Sequence, residues 1–345
     1  MNPSPSVGSF GRFQLARIAA WVTRHNLDGV FLRVRLATVA TSGATTLVDL
    51  NPHLDYSTSG VPQAERDLAV GDPRGIAWRA DGGRAYITGM GSNNVVAIDA
   101  TGARVGAPIE VGEGPTGIVL DAAGQRAFVV NKFDASVSVV DLVQGRETVR
   151  VPFHDPSPEV IKVGRRHLYD THAGSGLGHV ACASCHVDAR TDRLAWDLGD
   201  PSAPMDSDSG LNLGMGLPGL TTGFEDFHPM KGPMTTQTLQ DIIGKEPLHW
   251  RGDKVDGVFG LDDCPGGDAP VNTNPAACSE EFGFLNFIEA FEGLVGKEGT
   301  ISVMEMEDFR DFALDILLPP NPHQPLDNTF SAGAANGPNL FFNGI

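Results

Sequence analysis

Only four cysteines and three tyrosines occur among 345 residues, and no stretch approaches 18 uninterrupted apolar residues. So few thiols exclude a disulfide-dense scaffold. The missing apolar run excludes a transmembrane helix. Basic residues are scarce as well, 25 Lys and Arg against 43 Asp and Glu, for a formal net charge of −18. A field of that sign repels polyanions, so neither nucleic acid nor an anionic membrane is expected as a partner. Residues Met1 to Ala20 lack a continuous apolar core and carry Arg12 and Arg17, so no secretory signal is read there.

What the chain does have is glycine (42), proline (24) and an ordinary hydrophobic content of 41%. The length suits two domains, and the composition suits many short strands joined by loops. The chemically informative stretch is Cys182-Ala183-Ser184-Cys185-His186. Two thiols three positions apart, followed at once by an imidazole, form the attachment signature of a c-type haem. The sulfurs form thioethers to the porphyrin vinyl groups, and His186 becomes an axial iron ligand.

Two other readings of the motif compete with this one. A zinc half-site lacks a second pair of ligands elsewhere in the chain. A thioredoxin-like redox pair expects a strand before the motif and a helix after it, and Gly-rich and polar segments flank this one. One covalent haem c is therefore expected, in a periplasmic or otherwise extracytoplasmic compartment. The export signal is then absent from this sequence or unconventional. Cys264 and Cys278 bracket a Gly/Pro/Asn-rich excursion and read as a disulfide-closed loop, worth about 3 kcal/mol; two unrelated free thiols are the alternative.

A repeat begins at Thr46. Pro73-Arg74-Gly75-Ile76 returns as Pro115-Thr116-Gly117-Ile118, and Asn94 to Asp99 returns as Ser136 to Asp141, each shifted by 42 positions. Short β-branched runs with Gly-containing turns at this period predict β-propeller blades. Two units are complete, and Thr46-Leu47-Val48-Asp49 matches the last strand of another, with an insertion around Ser57 to Glu65. The fold class expected is multidomain, partial all-β propeller blades followed by a mainly α domain. Residues 1–45 stay unassigned, 46–155 hold about two and a half blades, 160–318 hold the haem domain, and 319–345 form a linker and the start of a second, missing haem domain. Asp49, Asp99 and Asp141 recur with the repeat and are read as structural.

Apolar stripes predict helices from Glu280 to Leu294 and from Met304 to Leu318. Pro319-Pro320 stops the second. Gly337 to Asn343 echoes Gly164 to Asp170 at an offset of 173, which places a second haem motif near position 355, beyond Ile345. The chain reads as truncated at both ends.

Tyr86-Ile87-Thr88 and Phe128-Val129-Val130-Asn131 resemble the YVTN-type propellers. The segment from Gly164 through Cys-Ala-Ser-Cys-His, with Met230 to Leu239 and Pro247 to Asp253, resembles the di-haem cytochrome c peroxidase group and its propeller-fused relatives. That resemblance implies an oxidoreductase acting on hydrogen peroxide when two haems are present.

The iron ligand opposite His186 separates an electron carrier from a peroxidase. Met234 is the first candidate, with His249, His228 and Met230 as alternatives and an open position as the last. Trp250 and Arg251 are candidates to lie against the porphyrin and a propionate. His172 and His179 are assigned surface or propionate-side roles. Three functions follow. The first is one-electron transfer with a redox protein as donor or acceptor and the propeller as docking module. The second is peroxide reduction. The third is a propeller-centred binding or lactonase-like module with accessory haem, for which residues 46–155 offer no acid–base or metal constellation.

Overall fold

The computed structural model describes residues 29–196, 234–242, 280–323, 325, 327 and 329–343. Strands β1 (Arg35–Val39) and β2 (Thr45–Asp49) form an antiparallel hairpin, and a single helical turn α1 (Gln63–Arg66) follows. The hairpin begins at Arg35, inside the segment 1–45 to which the sequence assigns no domain.

Two four-stranded antiparallel sheets come next. The first comprises β3 (Pro73–Trp78), β4 (Arg84–Gly89), β5 (Asn94–Asp99) and β6 (Arg104–Glu110). The second comprises β7 (Pro115–Leu120), β8 (Arg126–Asn131), β9 (Ser136–Asp141) and β10 (Arg146–Pro152). Every strand of the second sheet starts 42 residues after its counterpart, so the sequence repeat is a repeat of whole sheets. Such consecutive meanders, packed face on face, are propeller blades. Asp49, Asp99 and Asp141 each accept the amide two residues on, at 2.7, 2.8 and 2.9 Å. Each carboxylate thus caps the turn leaving its strand, an Asx-turn role.

Between the sheets lies a core of Tyr86, Val95, Ile109 and Val111 from the first and Ala127, Val129 and Val140 from the second. On the other face of the first sheet, Ala85, Ile87, Val96 and Ile98 pack against Val34, Leu36 and Leu50.

Beyond β10 the chain becomes helical. Pro156 and Pro158 end the extended path, and α2 (Glu159–Tyr169) begins directly after Pro158, followed by the turn α3 (Thr171–Gly174). Two-residue strands β11 (Ala195–Trp196) and β12 (Met234–Thr235) pair antiparallel. Helices α4 (Glu280–Leu285), α5 (Ala290–Gly293), α6 (Val303–Leu314) and α7 (Gly337–Asn343) complete the described chain.

Two of these differ from the period-based expectation. The continuous helix over 280–294 is two short ones joined by tight i→i+3 bonds, Phe287 N to Phe284 O and Ile288 N to Leu285 O, both 3.1 Å. The tightening lets Phe284 and Phe291 both reach the Phe309 ring, at 5.0 and 6.3 Å. The helix expected to reach Leu318 ends at Leu314, and Ile316 O instead accepts Asp241 N at 2.6 Å. The start of α6 carries a capping box, Ser302 Oγ accepting Glu305 N at 3.2 Å and Glu305 returning to Ser302 N at 2.9 Å.

Helices α2 and α6 cross closely at Gly164, where a Cβ would meet Asp308 O and Phe312 Cβ. The helical part joins the sheets through a dense polar and aromatic seam. Thr171 N and Oγ1 both donate to Gly91 O, at 2.8 and 3.1 Å. Phe133 from the second sheet meets Tyr169 at 4.8 Å and lies under the Arg165 guanidinium, whose NH2 donates to Phe133 O. Among the described residues no helix is long and apolar enough to cross a membrane.

Candidate functional site

Residues Cys182–Ser184 form one 3₁₀ turn, entered from an extended Ala181. Cys185 N and His186 N both bond to Cys182 O, at 3.2 and 2.9 Å, and Ser184 Oγ accepts Ala181 N at 3.1 Å. The turn therefore gathers both thiols and the imidazole within one tight loop. Cys182 and Cys185 are free thiols, half-buried, and both pack on the helical core around Leu168, Phe284 and Phe309.

Burial in these apolar surroundings pushes the Cys182 thiol up to about 11. Burial, then the Asp192 carboxylate and Cys182, push Cys185 up to about 12. Both are protonated at neutral pH. An activated redox thiol needs the opposite shift.

His186 Nδ1 donates to the carbonyl oxygen of Gln237 at 2.7 Å. A carbonyl can only accept, so Nδ1 carries a proton. Such a contact both orients an axial imidazole and raises its basicity. The strand of chain bearing Gln237 is laced to the loop after the motif. Leu239 N donates to Ala189 O at 2.9 Å, Thr238 Oγ1 to the same oxygen at 3.3 Å, and Thr236 N to Leu194 O at 3.1 Å.

Nothing in the residue types of Gln237, Thr238 and Leu239 marks them as site residues. Their contribution is mostly backbone, and a carbonyl leaves no mark on residue type. Met234, the first candidate for the second axial position, pairs its backbone with Trp196 in the strand pair beside the motif. His228, Met230, His249, Trp250, Arg251, Cys264 and Cys278 lie outside the described residues.

The surface role expected for His179 is not what the structure has. His179 is 1% exposed. Its Nε2 donates to Leu32 O at 3.1 Å, and its ring meets Tyr56 edge-on at 5.4 Å. Burial drives its pKa down to about 4. Gly-rich flanks suggest exposure, yet Leu32, Leu54, Tyr56 and Val61 pack over this loop. His172 is partly buried and donates from Nε2 to Ala69 O at 3.0 Å, a further tie between the helical part and the sheets. Among the described residues, no group of three or more His, Cys, Asp or Glu is placed to hold a metal ion.

No family model matches the chain, and no curated protein does. Among solved structures, part of the chain is similar to the hydrazine synthase of Kuenenia stuttgartiensis, at 26% identity over 25% of this chain and 24% of that one, TM-score 0.24. A streptogramin B lyase is similar at 16% identity over 34% of each chain, TM-score 0.26. A virginiamycin B lyase from Staphylococcus aureus is similar at 17% identity over 35% of each, TM-score 0.27. The chain thus spans about a quarter to a third of the length of these proteins.

Proposed function

We propose that this chain is an extracytoplasmic c-type haem protein that passes single electrons, with its propeller blades as a docking module for a redox partner. The observation that carries the reading is the turn at 182–186, with two protonated thiols and an imidazole whose Nδ1 is committed to Gln237 O at 2.7 Å. In that arrangement Cys182 and Cys185 would hold the porphyrin and His186 would supply Nε2 to iron. The haem would supply the one-electron couple, and the surrounding apolar cluster would restrict water and favour the less charged state.

For the position opposite His186, Met234 stays the first candidate, with His249, His228 and Met230 as the alternatives.

A second reading is a peroxidase-type enzyme with a second haem domain. One observation favours it: α7 (Gly337–Asn343), the echo of the Gly164 region, is helical like α2.

Expression with a c-type maturation system tests the proposal. The expected product shows a reduced-minus-oxidised haem c spectrum that survives acidified organic extraction, and Cys182→Ser with Cys185→Ser abolishes it. A colourless matured protein would overturn the reading. Carbon monoxide or cyanide binding readily to the wild type would favour the peroxidase over the carrier.

A further inference from the structure

The turn that follows His186 is held from the propeller side. Asp188 and Ala189 are consecutive left-handed residues, with φ of 53° and 58°. L-residues adopt that region reluctantly, and it persists only where neighbours impose it. One neighbour is the Gln237–Leu239 segment already described. The other is Arg74 on β3, 114 positions away in sequence.

Its guanidinium meets both oxygens of Asp188, NH2 to Oδ1 at 3.1 Å and NH1 to Oδ2 at 3.2 Å. Arg74 NH2 also donates to Asp72 Oδ2 at 2.9 Å, which braces the side chain from its own strand. A planar fork between two carboxylates has few other ways to lie.

We infer that Arg74 is a positioning residue of the candidate haem site: from the first blade it clamps the Asp188 turn and so fixes where His186 stands. The inference rests on the proposed haem function for its purpose, but the clamp itself does not. The first blade then completes the site as well as offering a docking face. Lysine replaces this arginine only in part, because a single ammonium keeps the charge but does not grip two carboxylates in a fork.

The test uses Arg74→Gln, Arg74→Lys and Asp188→Asn in the full chain, read two ways. In the haem-free protein, amide exchange is measured at Ala189 and Arg190, which donate to His186 O and Val187 O at 2.9 and 3.0 Å. Exchange at these two amides is expected to rise at least ~10-fold in Arg74→Gln and Asp188→Asn and less in Arg74→Lys, without a matching rise in the β3–β6 sheet. In the matured protein, the same variants are expected to attach less haem per chain and to show a shifted midpoint potential. Wild-type exchange in all three variants, or normal attachment and potential despite a loosened turn, would overturn the positioning role. A colourless wild type whose turn loosens in Arg74→Gln would sink the haem reading and leave the clamp standing.

Discussion

His186 and Gln237 lie 51 positions apart, yet the imidazole Nδ1 donates to the glutamine's carbonyl oxygen at 2.7 Å. The contact fixes the ring's tautomer before any metal arrives. In haem-free protein, ¹⁵N shifts are therefore expected to show His186 as the Nδ1–H form. An Nε2–H imidazole would contradict the arrangement.

His179 makes stability pH-dependent. Its folded pKa of about 4 lies below the ordinary 6.5, because burial penalises the cation. Between those values the unfolded chain binds the extra proton, so stability rises with pH through this window and is lost as pH falls from 6.5 toward 4. The full difference is on the order of 3 kcal/mol. His53, lowered by burial and then by Arg104, acts in the same sense. Denaturant melts at pH 7 and 4.5 should show the loss, and His179→Gln, which keeps a donor for Leu32 O, should flatten it.

Gly164 is where α2 and α6 touch. An exposed Gly→Ala change inside a helix gains about 1 kcal/mol. Here the new methyl would strike Asp308 O and Phe312 Cβ, and overpacking of that kind costs about 1–3 kcal/mol. Gly164→Ala should therefore lower the melting temperature, and a rise would show that the helices separate freely.

The two sheets share a repeat but not a fate. Ile109 and Val111 of the first are 7% and 6% exposed, whereas their counterparts Val151 and Phe153 in the second are 52% and 51% exposed. Val151→Thr should thus leave stability within about 0.5 kcal/mol and reduce aggregation, since exposed apolar sheet faces invite association. Ile109→Thr should cost about 2 kcal/mol, from lost burial and an interior hydroxyl. Equal effects at both positions would contradict the open face.

The strands were legible because each obeys a local rule. Short β-branched runs and Asp-led turns repeat every 42 residues from Pro73 to Pro152, and the thiol–imidazole chemistry of 182–186 is written in side-chain identity alone. Tertiary structure decided the rest. A carbonyl acceptor such as Gln237 O is independent of residue type. The Arg74–Asp188 clamp joins residues 114 apart. His179 is buried by chain that precedes it by more than a hundred positions, and the 280–294 helix is interrupted where Phe284 and Phe291 both meet Phe309. Such outcomes depend on which distant surfaces meet, and no window of sequence contains both sides of the meeting.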